Sequence, residues 1–304
     1  MRVLVTGGTG FVGSALVRAL ARRGDRVTVL TRNPNKARNG LPRGVRAAAW
    51  HPQKAGPWQD ELGVVDAVVH LAGDPVAQRW TEATKKSIKA SRVESTKLIV
   101  DAIAKADKKP AVMVSASATG YYGVSRKGRL VEDSDPGKGF LPEVCIGWEE
   151  EAKRAEEHGV RTVQLRLGVV LGPDGGALDK MVAPMRLFVN GPIGKGDNAM
   201  SWIHRDDVVG MILWALDDEG KEGAYNCTSP FSTTGKELAK TMGSVLGRPA
   251  VPAPEAAVRM VMGEAVDVLV GSLDVYPERA VDQGYEYHYA RLTPALESSL
   301  MADE

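Results

Sequence analysis

The chain has 304 residues, 43% hydrophobic and 25% charged, the proportions of an ordinary globular protein long enough to bury a sizeable core. A formal net charge of +1 gives no electrostatic case for nucleic acid or an acidic membrane surface. Two cysteines, Cys145 and Cys227, exclude a disulfide framework or a multi-cysteine zinc site, and no apolar run approaches the length of a bilayer crossing, so a cytoplasmic protein with reduced thiols is expected.

In chain order, Arg2–Val5 reads as a buried strand and Ser14–Arg23 as the helix after it, with Leu16, Ala19 and Leu20 on one face. Gly24 and Asp25 turn the chain into a second strand at Arg26–Thr31, and Arg46–Trp50 is a weak third. Asp66–Leu71 is the fourth strand, Thr81–Ala106 has helical spacing, and Ala111–Ser115 is the fifth strand. A charged helix over Trp148–His158 stops at Gly159, and Arg161–Leu167 gives the sixth strand. Strands alternating with helices imply right-handed crossovers and a doubly wound parallel α/β sheet covered on both faces. The glycine- and proline-rich stretch Gly172–Gly196 and the proline cluster Pro249–Pro254 lead in and out of a smaller lid-like region, while Ala224–Thr228 returns to the main sheet. The expected division is residues 1–171 with 202–228 as a nucleotide-binding domain, and 172–201 with 229–304 as the substrate region.

The sharpest local signal is TGGTGFVG, Thr6 to Gly13, placed between the first strand and its helix. Gly8, Gly10 and Gly13 satisfy the G-x-G-x-x-G fingerprint of Rossmann-type dinucleotide sites. Gly7 and Gly8 allow the tight turn, Gly10 lets a pyrophosphate approach the backbone, and Gly13 lets helix and strand pack closely. The amides of Phe11, Val12 and Gly13 then face the phosphates at a helix N-terminus. An NAD site usually carries an acid at the end of the second strand, but this chain has Thr31, Arg32 and Asn33 there. A guanidinium at Arg32 suits a 2′-phosphate, with Lys36 nearby, so NADP(H) is the cofactor expected.

Several further segments together resemble the extended short-chain dehydrogenases of the NAD-dependent epimerase/dehydratase superfamily. DAVVHLAG (Asp66–Gly73) resembles that family's fourth strand, which implies that Leu71, Ala72 and Gly73 pass close to the adenosine and ribose. SRVESTKLIVDAI (Ser91–Ile103) resembles its next helix, and SASATGYYG (Ser115–Gly123) the segment that carries the catalytic Ser or Thr, with Ser115 near the cofactor. RLGVVLGP (Arg166–Pro173) resembles the loop lining the nicotinamide side, which places Arg166 there, and WIHRDDVV (Trp202–Val209) resembles the family's I-H-x-x-D helix start. More narrowly, SASATGYYG, VCIGWE (Val144–Glu149) and a tail from about Pro252 to Leu300 are similar to an atypical subgroup labelled the epimerase family, or short-chain dehydrogenase family 39U.

What the resemblance implies about chemistry breaks down at one place. Ser117 matches the family's Ser, but Cys145 stands where Tyr would be and Glu149 where the Lys four residues on would be. That Lys lowers the Tyr pKa and holds the ribose, and neither Cys145 nor Glu149 can do so. Tyr121 and Tyr122, on the loop after strand five and facing the expected cleft, are candidate substitute proton donors, as are Glu149 and Cys145. Packing against the substrate is the plainer role for the tyrosines and small buried filler that for Cys145. His204 and Asp207 at i, i+3 form a possible polarised pair, with helix capping the plainer reading. His51, His70, His158 and His288 lack zinc spacing, so no metal is expected. Two functions remain open. One is an NADP(H)-dependent oxidoreductase or epimerase-like enzyme acting on a small polar carbonyl or sugar-like compound, as a monomer or homodimer. The other is a catalytically silent NADP(H)-binding regulatory or interaction protein, connected by labels of the subgroup with cell division.

Overall fold

Runs of valine and leucine too short for helices and buried on both faces belong in the middle of a parallel sheet. The computed structural model describes residues 1–185, 191–248 and 255–301 and places them there. The strands are β1 (Arg2–Thr6), β2 (Arg26–Thr31), β3 (Arg46–Ala49), β4 (Ala67–His70), β5 (Val112–Ala118), β6 (Arg161–Leu167) and β7 (Gly223–Cys227). They form one seven-stranded sheet in the order β7-β6-β5-β4-β1-β2-β3, with every pairing parallel. The order of assembly reverses between β1 and β4, which opens a crevice outside their carboxyl ends.

Alternation along each strand divides the core between the two faces. Val3, Val5, Val27 and Val29 meet Leu16 and Leu20 of α1 (Phe11–Arg22), while Leu4, Val68 and Met113 point the other way, toward Ile99 and Ile103. Each such side chain, fully withdrawn from water, contributes about 1.5–3 kcal/mol. A further cluster joins Leu171, Leu178, Trp202, Leu238, Met242, Ala295 and Leu296 in the C-terminal region.

Several elements differ from the sequence expectation. The first helix begins at Phe11, directly after the glycine turn, and ends at Arg22. Strand β5 runs three residues past Ser115, so Ser117 lies on the strand. The stretch 81–106 is α2 (Glu82–Lys89), a π-helical turn at Ala90–Glu94, and α3 (Ser95–Lys105). Helix α4 covers Phe140–Lys153 and continues as 3₁₀ turns to His158; it starts eight residues before Trp148, with Pro142 tolerated in its first turn and Gly147 set against Val93. The Gly/Pro-rich stretch contains a helix at Gly176–Met185, and the proline cluster at 249–254 lies outside the described residues.

His204 and Asp207 do not pair with one another. His204 Nδ1 accepts from the Asp206 amide at the start of α5 (Arg205–Asp217). Asp207 is fully buried and accepts from the amides of His288 (2.7 Å) and Tyr289 (2.9 Å), tying the C-terminal segment to the sheet layer. Among the described residues, no helix is long and apolar enough to cross a membrane.

Candidate active site

The glycine loop is shaped by backbone contact. Gly7 is the one loop residue at positive φ (+69°), and a Cβ there would stand 2.8 Å from the Leu71 carbonyl carbon, so the loop after β1 rests on the end of β4. A Cβ on Gly13 would overlap the Gly7 carbonyl oxygen, which fixes α1 close against the turn. Helix α1 has neither a side-chain cap nor an acid in its first turn. Its first intrahelical bond runs from Ser14 N to Gly10 O, so the amides of Phe11, Val12 and Gly13 find no acceptor among the described residues. Three free donors beside an exposed glycine suit a diphosphate.

A buried histidine ties the floor of this crevice together. Thr6 Oγ1 lies 2.7 Å from His70 Nδ1, His70 Nε2 lies 3.2 Å from Ser95 Oγ, and the Ala72 amide donates to Thr6 Oγ1. Burial brings the His70 pKa down to about 3, so the ring is neutral. Arg32 stands exposed at the end of β2 with no hydrogen bond or ion pair among the described residues, while Asn33 caps the short helix beside it by accepting from the Lys36 amide. The loop glycines, Leu71–Gly73 and Arg32 therefore border one crevice edge.

The other candidates are brought together a few strands away, in an arrangement the sequence did not suggest. Ser117 Oγ donates to Glu149 Oε1 at 2.6 Å. Arg166 grips the same carboxylate with two bonds of 2.9 Å, and donates also to the Tyr122 hydroxyl and the Glu132 carbonyl. Tyr122 in turn donates to Asn226 Oδ1 (2.7 Å) and lies within 3.0 Å of the Val131 carbonyl. Burial pulls the Arg166 guanidinium down, but the pair with Glu149 more than offsets it and leaves the pKa raised. Burial pushes the Tyr122 phenol up to about 12 against the pull of Arg166.

Tyr122 is thus not a cleft-facing acid. It is completely buried, its hydroxyl is occupied on every side, and a neutral phenol is what this core requires. Tyr121 is half-buried, with Arg166 stacked 3.5 Å from its ring centre. Arg166, expected to line the nicotinamide side, has its donors engaged inside the protein. Ser115 is likewise enclosed, donating to the Ala116 carbonyl. Cys145 is buried and its thiol is pushed up to about 12, first by burial and then by Glu149, so it stays protonated. Glu132 and Asn226 complete the network: Asn226 N donates to Glu132 Oε1, and Asn226 Nδ2 to the Tyr276 carbonyl. Neither sits in a sequence motif, because the chain separation between them is 94 residues.

Residues 3–228 match the family model described as NAD dependent epimerase/dehydratase family, and residues 253–299 match a domain of unknown function. The chain belongs to this family. It is 40% identical to the Arabidopsis thaliana protein named epimerase family protein SDR39U1 homolog, chloroplastic, over 97% of this chain and 86% of that one. It is 37% identical to the Bacillus subtilis epimerase family protein YfhF, over 100% and 99%. Among solved structures, it superposes on human epimerase family protein SDR39U1, crystallised with NADPH, with a TM-score of 0.85 and 36% identity over 98% of each chain.

Proposed function

We propose that this protein binds NADP(H) and transfers hydride to or from a small polar, sugar-like compound, with Ser117 and Glu149 moving the proton. The cofactor reading is supported by the free amides of Phe11, Val12 and Gly13, by the unpaired Arg32, and by the NADPH of the human relative. Bound NADP(H) supplies the hydride donor or acceptor. The proton route rests on one observation, the 2.6 Å bond from Ser117 to Glu149. In the oxidising direction, the substrate hydroxyl gives its proton to Ser117 Oγ while Ser117 passes its own to Glu149 Oε1. Reduction runs the same two transfers in reverse, leaving the proton on the new hydroxyl. Arg166, paired bidentately with Glu149, fixes the orientation of the carboxylate on which the Ser117 hydroxyl bonds. The same relay serves an oxidation or reduction as the whole reaction, or the opening half of an epimerisation. A small-molecule substrate, the cytoplasm and a monomer or homodimer belong to the same reading.

The test is a single turnover. Protein loaded with NADP⁺ is mixed with fractionated cell metabolites while nicotinamide absorbance is followed. A fraction that reduces the cofactor with wild type should do so about a hundredfold more slowly with Ser117→Ala, with cofactor binding unchanged. A variant as fast as wild type would remove Ser117 from the mechanism. One observation favours a second reading, that of an NADP(H)-binding protein without turnover: Ser117 is only 1% exposed, and Tyr122 and Cys145 are buried as well. A partner protein retained only in the presence of NADPH, with no fraction ever reacting, would support it.

A further inference from the structure

The net charge of +1 conceals a segregated distribution. Residues 1–50 hold ten Lys and Arg against one acid, Asp25, and nine of the ten are arginine. Residues 251–304 hold three Lys and Arg against ten Asp and Glu. From residue 51 onward lysine outnumbers arginine, 16 to 13, so the arginine bias belongs to the N-terminal stretch alone. Arginine is the cation whose planar fork matches phosphate, whereas a general need for positive charge is met as well by lysine.

The fold gathers part of this charge into one groove. Arg18 and Arg22, four residues apart, lie on the same side of α1, about 6 Å from one another along its axis. Across from them runs the loop Asn39–Arg43, which leads into β3. Between helix and loop is an open groove of about 540 Å³ lined by Arg18, Arg22, Arg43 and Asn39, with no acid among the described residues. All three arginines are exposed, and none makes a side-chain hydrogen bond or ion pair among the described residues. Their neighbours are different: Arg2 pairs with Asp66, Arg23 with Asp25 and Asp217, and Arg46 with Glu61. Three like charges around one groove repel each other, and an anion seated among them relieves that repulsion.

The cofactor does not account for this groove. The amides offered to a diphosphate are in the first turn of α1, and Arg18 and Arg22 lie seven and eleven residues beyond Phe11. That is about 10 and 16 Å along the helix, more than a Debye length at physiological salt. A membrane is a poor fit as well, because no large apolar side chain is exposed between residues 2 and 63 to enter a bilayer. No Phe, Tyr or Trp occurs between Val12 and Ala49, so the groove has no platform for stacked bases. What it offers is guanidinium alone, which reads phosphate and not sequence.

We propose that the groove between α1 and the Asn39–Arg43 loop binds the phosphodiester backbone of a single-stranded nucleic acid, irrespective of base sequence. Successive phosphates of one strand face Arg18, Arg22 and Arg43, and the bases stay in solvent. The inference is independent of the NADP(H) reading, since the two sites share no residue.

The experiment is fluorescence anisotropy of a labelled single-stranded RNA of mixed sequence, with the DNA of the same sequence alongside, titrated with the full chain at increasing KCl. The logarithm of affinity should fall with the logarithm of salt concentration at a slope of about −2, the value for three phosphates on a single strand. The combined variant Arg18→Gln, Arg22→Gln, Arg43→Gln should lose at least about tenfold in affinity and flatten that slope, with NADPH affinity and melting temperature unchanged. A charge-matched control, Lys127→Gln, Lys138→Gln, Lys153→Gln, removes three exposed cations elsewhere and should bind like wild type. Binding of either strand that is lost in the arginine variant and kept in the lysine variant supports the proposal. Equal losses in the two variants would make the effect one of overall charge and overturn it, as would no saturable binding at low salt. Retention on phosphatidylserine vesicles without binding to either strand would overturn it too, giving the face to a membrane.

Discussion

At the scale of one side chain, the choice between cofactors is expected to turn on Arg32. It directly follows β2, the strand whose end lies beside the glycine loop, and is exposed, with no ion pair among the described residues. A guanidinium there gains two parallel charge-assisted bonds from a 2′-phosphate and has nothing comparable to gain from a ribose hydroxyl. Arg32→Ala should therefore cost about ten- to a hundredfold in NADPH affinity and leave NADH nearly unchanged, as read by fluorescence titration of both. Equal losses for the two cofactors would assign the 2′-phosphate to some other group. The place of Arg32, directly after β2, was legible from sequence because it depends only on where that strand ends. Ser117 was legible as a position but not as an environment. That its hydroxyl is taken by Glu149, and Glu149 by Arg166, depends on α4, β5 and β6 meeting in space, and no local pattern carries that. The same blindness made Tyr122 look like a cleft residue: two adjacent tyrosines share a loop in sequence, yet only Tyr121 keeps any exposure.

At the scale of elements, the sheet strands were readable because buried parallel strands are continuous apolar runs, and the glycine turn because its residue types are dictated by close backbone contact. Helix α4 was not, since a proline and a glycine fall within its first eight residues. Pro142 is accommodated where its missing N–H would have no partner in any case, and Gly147 faces Val93 inside. The π-turn at Ala90–Glu94 left no compositional trace either. The contact between α1 and its turn is the element-level feature with the sharpest consequence. A methyl group on Gly13 has no space short of the Gly7 carbonyl, so the helix must move off the loop or the loop must open. Gly13→Ala should lower stability by about 1–3 kcal/mol in urea denaturation and abolish NADPH binding, because the displaced amides no longer converge on a phosphate. An unchanged midpoint together with normal binding would show that α1 is not fixed by this contact.

Across the whole molecule, two buried imidazoles couple stability to acid. His70 joins β1, β4 and α3, while His204 starts α5 and lies against Tyr289, with ring centres 4.0 Å apart. Burial is the first cause of both shifts, bringing His70 to about 3 and His204 to about 4 from an ordinary 6.5. Both rings are neutral in the folded protein at neutral pH and free to protonate in the unfolded chain. Stability is thus fully present above about pH 6.5 and declines as the pH falls, because the unfolded state takes up protons that the folded state refuses. For His70, the loss reaches roughly 3 kcal/mol by about pH 4. Asp66 does not contribute in this window: Arg2 holds its carboxyl below the usual range, and its stabilisation is lost only at lower pH. The urea midpoint should therefore drop between about pH 7 and pH 4.5, and the drop should shrink in His70→Asn, whatever that variant loses at neutral pH. A variant with the same pH slope as wild type would place the acid sensitivity elsewhere. Since His70 holds Thr6, whose hydroxyl accepts from the Ala72 amide beside the glycine loop, saturating NADPH should raise the midpoint across this pH range, and more so in wild type than in Arg32→Ala.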